Sequence, residues 1–237
     1  MSNIYSNFSG TDVTCTFTPY EPDTFMQMRL VNAVTTLMKK YFCIPSLESF
    51  EIIFDIKHDT PETFKQIRKI YIPALDVYWC QIIFQYAHEF CHLLIPEPIS
   101  NHFRWFEEAI CDLSSLFFLQ VMAEKWISIF PEHANFQNSI IKYISNLTTG
   151  IPFPLESLSD TNSDIYSYLS NECYNRDLNR FFALQMLPIF SNHPILWTAV
   201  PQLCDGADSS SFLEYLQCWK HNTNQHYIDE IISKIYH

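Results

Sequence analysis

The chain has 237 residues, of which 48% are apolar, 17% charged and 16% aromatic. That is a globular composition, long enough for one large domain or for a domain with a smaller companion, and it excludes a disordered chain. With 14 Lys and Arg against 26 Asp and Glu, the formal charge is −12; without a basic stripe, nucleic acid and anionic membranes are excluded as expected partners.

Glycine occurs only three times, at Gly10, Gly150 and Gly206. This excludes glycine-rich phosphate loops and disfavours a sheet-only fold with many tight turns, so a helix-rich α+β chain is expected. Residues 1–20 read as polar and loose or strand-like. Thr24–Phe42 carries apolar residues at helical spacing and ends in Lys39 and Lys40, which suits a helix C-terminus. Phe50–Ile56 and Ile67–Leu75 are short and rich in branched and aromatic residues, the pattern of strands. Pro73 would interrupt a central ladder, so the second strand lies at an edge or ends near it.

Asp76 is a candidate N-cap for a helix over Val77–Leu94, stopped by Pro96 and Pro98. A second helix is expected over Asn101–Ser128, ending before Pro131. Beyond it the pattern predicts helices over 134–147, 162–187, 194–203 and 210–235. The segment TTGIPFPLESLSD at 148–160 is the best internal boundary. A small α+β lobe over 1–148 and an all-α lobe over 149–237 follow from this order.

The eight cysteines are scattered, with no CxxC pair. No charged region followed by an apolar stretch opens the chain, and most of the cysteines sit among apolar residues. Reduced, buried thiols and a cytoplasmic protein are the expectation. No apolar run approaches the length of a membrane span.

Chemistry concentrates in QYAHEFCHLL at Gln85–Leu94. On a helix, His88 and His92 fall one turn apart on one face, separated by about 40°. Two imidazoles so placed can meet one ion at about 2.0–2.1 Å each. Glu89 lies about 100° round from His88, a position from which its carboxylate can act as general base on a water without being a ligand. Ile82, Ile83, Phe84, Phe90, Leu93 and Leu94 make the same helix apolar over much of its circumference. Three ionisable groups on a buried helix need partners or a metal.

A second apolar helix, RWFEEAICDLSSLFFLQ at Arg104–Gln120, offers Glu108 and Asp112 four residues apart. Glu108 can complete a His₂Glu set with a fourth position open. Asp112, one turn on, can accept the Nδ1–H of a ligating histidine and fix its tautomer.

HEFCH followed by FEEAICD, with Glu108 16 residues after His92, resembles the gluzincin metallopeptidases, whose thermolysin-like members pair HExxH with a later NEAxxD-type helix. The resemblance covers roughly residues 67–120 and is specific at this motif pair. It implies a zincin-like fold, a small sheet with an active-site helix. It also implies one zinc ion held by His88, His92 and Glu108, Glu89 as base, and Asp112 orienting the first histidine. The strand before the active-site helix, here Ile67–Leu75 with Phe50–Ile56 beside it, would form an upper rim that takes extended peptide by strand addition. Glu107 stands where the family often has Asn, which leaves Glu107 as an alternative ligand. The carboxylate four residues on favours Glu108, because the equivalent position from Glu107 is Cys111.

The implied function is zinc-dependent hydrolysis of peptide bonds in a peptide or protein substrate. Two alternatives stand beside it: a catalytically silent module that binds a peptide or protein, and a zinc hydrolase of a non-peptide amide or ester. Candidate donors for the oxyanion are His102, Tyr166, Tyr168, Tyr174 and His193, with nothing in their spacing to select one. Cys91 reads as a buried structural cysteine and Gln85 shares the histidine-bearing side of its helix. Arg176 and Arg180 are candidates for a substrate carboxylate or, more commonly, for surface salt bridges.

Overall fold

Ser9 and Gly10 turn the chain back on itself with φ of 52° and 83°. Positive φ at both central residues is what a tight hairpin needs, and glycine supplies it at the second without steric cost. The turn joins β1 (Ser2–Phe8) to β2 (Thr11–Phe17), which pair antiparallel with Phe8 opposite Thr11. In the computed structural model, residues 2–18, 24–96, 99, 101–147, 150–206 and 209–236 are described. The expected stop at Pro98, residues 148 and 149 of the expected boundary, and residues 19 and 20 of the N-terminal segment lie outside them.

The chain continues through α1 (Thr24–Tyr41), β3 (Phe50–Phe54), β4 (Glu62–Phe64) and β5 (Lys69–Ile72) to α2 (Trp79–Leu94) and α3 (Arg104–Ile129). Next come α4 (Gln137–Asn146), α5 (Asp164–Asn171), α6 (Arg176–Asn192), α7 (Phe212–Thr223) and α8 (Ile228–Tyr236). The fold is α+β and helix-rich. No helix among the described residues is long and apolar enough to cross a membrane.

The residues divide into two compact units, Met1–Leu93 with Ser114–Leu147, and Leu94–Leu113 with Thr148–His237. The first unit holds a mixed five-stranded sheet in the order β1-β2-β3-β5-β4. β2, β3 and β5 run parallel, with Val13 opposite Phe50 and Glu51 opposite Lys69, and β4 closes the sheet antiparallel to β5. Cys15, Ile52, Ile70 and Ile72 are fully buried together with Leu30, Val31, Val34 and Met38 of α1. Lys39 of α1 is itself buried, and its ammonium donates to the Ser9 carbonyl at 2.7 Å and to Thr11 Oγ1 at 2.8 Å. Such a buried cation is made tolerable by the two acceptors that meet it.

Ring packing joins α2 to this sheet: Phe90 lies 5.4 Å from Phe50 and stacks on Tyr86, also at 5.4 Å. The Tyr86 hydroxyl and Thr35 Oγ1 are 2.7 Å apart, which fixes α2 to α1. Ser114 and Ser115 of α3 donate to the carbonyls of Ala87 and Phe84 at 3.1 and 2.9 Å. These bonds set the C-terminal part of α3 against the middle of α2.

The second unit contains no strand among its described residues. Its core is aromatic: Trp105 and Phe106 meet Phe182 at 5.5 and 5.8 Å and Phe212 at 5.0 and 5.2 Å. Two of its buried polar tips are met, Tyr215 Oη donating to the Leu203 carbonyl at 2.6 Å and Trp219 Nε1 to that of Ala199 at 2.9 Å, whereas Trp105 Nε1 is buried with no hydrogen-bond partner among the described residues.

The strand expected to lie at an edge or to end near Pro73 does the second: β5 ends at Ile72, directly before Pro73, so no ladder bond is lost. It is not the edge, because β4, a three-residue strand that reads as loop, lies outside it. Two expectations are corrected in detail. Asp76 caps a turn rather than the helix, since its Oδ1 accepts from Val77 N at 3.0 Å and α2 starts at Trp79. The single helices expected over 162–187 and 210–235 are each two. Asn175 caps a new start by accepting from Leu178 N at 3.0 Å, and Asn224 ends α7 in the left-handed region at φ 53°.

Candidate metal centre

α2 is buried because its sequence is apolar nearly all round: Ile82, Ile83, Tyr86, Ala87, Phe90 and Cys91 have no exposed surface. The structural role expected for Cys91 fits that burial. The helix leaves His88 and His92 half-buried on its remaining face, with their Nε2 atoms 3.2 Å apart and ring centroids 5.0 Å apart. Four donors around one zinc at about 2.0–2.1 Å sit about 3.3–3.4 Å from one another. The two imidazoles therefore converge at nearly the spacing that a shared ion requires. Gln85 belongs to the same helix, and its Oε1 is buried without a hydrogen-bond partner among the described residues.

Glu89 is bonded from the sheet. It is only 4% exposed, and its Oε2 accepts from Thr63 Oγ1 of β4 at 2.9 Å. The same hydroxyl is 2.8 Å from the Glu89 carbonyl oxygen, so one proton serves two acceptors on one residue.

In α3, the sequence Glu107-Glu108-Ala109-Ile110-Cys111-Asp112 puts Glu108 and Asp112 one turn apart on one face and Glu107 about 100° round from Glu108. Glu107 and Asp112 are buried and Glu108 is half-buried. His88 and His92 belong to the first unit, and Glu107, Glu108 and Cys111 to the second. Two imidazole nitrogens and a carboxylate oxygen, as His88, His92 and Glu108 offer, are the donor set of an open catalytic zinc site. The alternative set of His92, Glu107 and Cys111 replaces an imidazole with a thiol that has no exposed surface.

No protein-family model matches the chain, and no curated protein does either.

Asp112 is clamped from α6. Arg180 Nε donates to its Oδ2 at 2.5 Å and Arg180 Nη2 to its Oδ1 at 2.9 Å, a two-pronged ion pair. Arg180 is buried, so neither a surface salt bridge nor an exposed carboxylate receptor describes it.

The candidate oxyanion donors are dispersed through the helical unit. His193 pairs with Glu230 at 2.8 Å and stacks on Tyr227 at 3.9 Å. Tyr166 is buried in α5, which pushes its hydroxyl pKa up, while the Tyr168 hydroxyl accepts from Asn175 Nδ2 at 3.1 Å. His102 is exposed. Tyr174 lies under the Arg104 guanidinium, 5.1 Å from its ring centre, and Arg104 is one turn before Glu108 on α3. Its neighbour Cys173 has a thiol pKa raised by burial, lowered by Arg104 and raised by Glu108.

Thr63 and the true partner of Arg180 escaped the sequence reading. Thr63 sits in ETF, three residues with no apolar run to mark a strand and no motif to mark a partner of Glu89. Arg180 was visible as a charge, but its burial against Asp112, 68 residues away, has no local signature.

Proposed function

We propose that the protein is a zinc-dependent peptidase resembling the gluzincins, with His88, His92 and Glu108 as ligands, Glu89 as general base and Asp112 as the carboxylate that orients a ligating histidine. The observation that carries this reading is the convergence of His88 and His92, their Nε2 atoms 3.2 Å apart, beside a buried glutamate that neighbours the first histidine. Zinc held there would supply Lewis acidity, polarising a carbonyl and acidifying water. Glu89 takes a proton from the attacking water on its carboxylate and returns it to the leaving amine. Arg180 keeps the Asp112 carboxylate in one orientation, which in turn fixes what that carboxylate can accept.

The substrate class follows from the sheet. β4 is the edge strand, and among the described residues no strand pairs with its outer side. An extended peptide can add to such an edge through main-chain hydrogen bonds that do not depend on its sequence. β4 also carries Thr63, the partner of Glu89, and this supports a peptide over a compact ester or amide.

The test is zinc stoichiometry together with turnover on a mixture of quenched fluorescent peptides, for the wild type and Glu89→Gln. One zinc in both proteins, and turnover lowered by about 10²–10⁴-fold in the variant, is the expected result. No zinc after zinc loading would sink the reading. Full zinc with no turnover in either protein would point to the silent binding module.

A further inference from the structure

Thr63 and Glu89 come from different parts of the first unit, 26 residues apart in sequence, and meet at 2.9 Å. β4 alternates accordingly, with Glu62 and Phe64 exposed and Thr63 half-buried, facing inward. A threonine in that slot is not explained by the strand's own needs. β4 is already paired with β5 through Glu62 opposite Tyr71 and Phe64 opposite Lys69, and a valine would fill the inward site equally well.

We infer that Thr63 is a positioning residue for Glu89. The inference rests on the peptidase reading above and adds to it a link between the sheet edge and the base. Glu89 has three side-chain torsions, and burial alone leaves several rotamers open to it. The Thr63 hydroxyl selects one of them by bonding Oε2, while its contact with the Glu89 carbonyl ties the strand to the helix backbone at the same residue. The strand that takes the peptide backbone and the carboxylate that activates water thereby share one mount. A peptide seated on β4 is placed relative to Glu89 by a single residue's geometry rather than through the length of two elements. Misplacement of a reacting group by about 1 Å can cost about 100-fold in rate, which sets the scale of what this bond controls.

Thr63→Val keeps the branched shape and removes the hydroxyl, and Thr63→Ser keeps the hydroxyl. Both are assayed as zinc-loaded full chain on the quenched peptide mixture, alongside Glu89→Gln and the Thr63→Val/Glu89→Gln double variant. The expected result is kcat lowered by about 10–100-fold in Thr63→Val, with KM, zinc content and thermal midpoint close to wild type. Thr63→Ser should recover most of the loss, and the double variant should be no slower than Glu89→Gln alone. A purely structural threonine would lower the midpoint and zinc content without this split. Unchanged kcat in Thr63→Val, with Glu89→Gln inactive, overturns the inference and leaves the peptidase reading standing. A Glu89→Gln variant as active as wild type overturns the reading itself, and the inference with it.

Discussion

Arg180 reaches Asp112 with two hydrogen bonds, at 2.5 and 2.9 Å, and both side chains are less than a tenth exposed. Burying two charges is costly, and their attraction offsets the cost only while both are present and well aligned. The pair joins α6 to the N-terminal part of α3, four residues beyond Glu108.

Removing one partner is therefore the damaging change. Arg180→Met should lower the unfolding free energy of metal-free protein by about 3–5 kcal/mol in urea titrations, because it strands a buried carboxylate. Arg180→Met/Asp112→Leu should recover most of that loss. If Asp112 orients a zinc ligand, Arg180→Met should also weaken zinc binding by about 10–100-fold, measured by competition with a chelating dye. Stability unchanged in the single variant would contradict the buried-pair account.

Glu107 and Glu108 can be separated by metal analysis. Glu108→Ala should lose the zinc that the wild type retains through dialysis, as should His88→Ala and His92→Ala, while Glu107→Ala should keep it. The opposite pattern, with zinc lost from Glu107→Ala and Cys111→Ala but kept in Glu108→Ala, would make Glu107 and Cys111 the ligands.

Gly150 carries a steric prediction. A Cβ placed there would lie 2.7 Å from Phe181 N and 2.9 Å from both Asp177 O and Phe181 Cα. All three are backbone atoms of α6, which cannot swing aside as a side chain can. The main chain already runs close here, with Ile151 N donating to the Asp177 carbonyl at 3.3 Å. Gly150→Ala should destabilise the protein by about 1–3 kcal/mol, seen as a lower thermal midpoint with unchanged zinc stoichiometry.

Alkaline pH should weaken the fold through two buried thiols. Burial pushes Cys15 from 9.0 up to about 12 and Cys80 from 9.0 up to about 11. Above pH 9 the unfolded chain releases these protons while the folded chain keeps them, so the folded state binds more protons and its stability falls as pH rises. The slope is at most about 1.4 kcal/mol per pH unit for each thiol, with both contributing from 9.0 to about 11 and Cys15 alone from there to about 12. Urea midpoints between pH 8 and 10.5 should show this fall, and Cys15→Val should flatten it.

The helices most legible in the sequence are those whose apolar spacing is long and regular. Thr24–Phe42 ends within one residue of α1, and Asn101–Ser128 ends one residue short of α3. Breaks were harder to see. Asn175 and Asn224 are the residues that divide the later helical stretches, yet asparagine is also tolerated inside helices, so its presence alone marks no boundary. β4 was invisible because three residues of alternating exposure carry too little periodicity to stand out from a loop.

By itself the sequence determined the helix that bears His88, Glu89 and His92, the second apolar helix with its three carboxylates, and the helix-rich α+β class. Those are local properties: side-chain direction on a helix repeats every 3.6 residues, so spacing alone decides which residues share a face. Only the tertiary structure decided that β4 and not β5 is the edge, that Thr63 holds Glu89, and that Arg180 rather than solvent faces Asp112. Strand order and buried charge pairing depend on contacts between residues tens of positions apart, formed by packing of whole elements, and no short stretch of sequence encodes them.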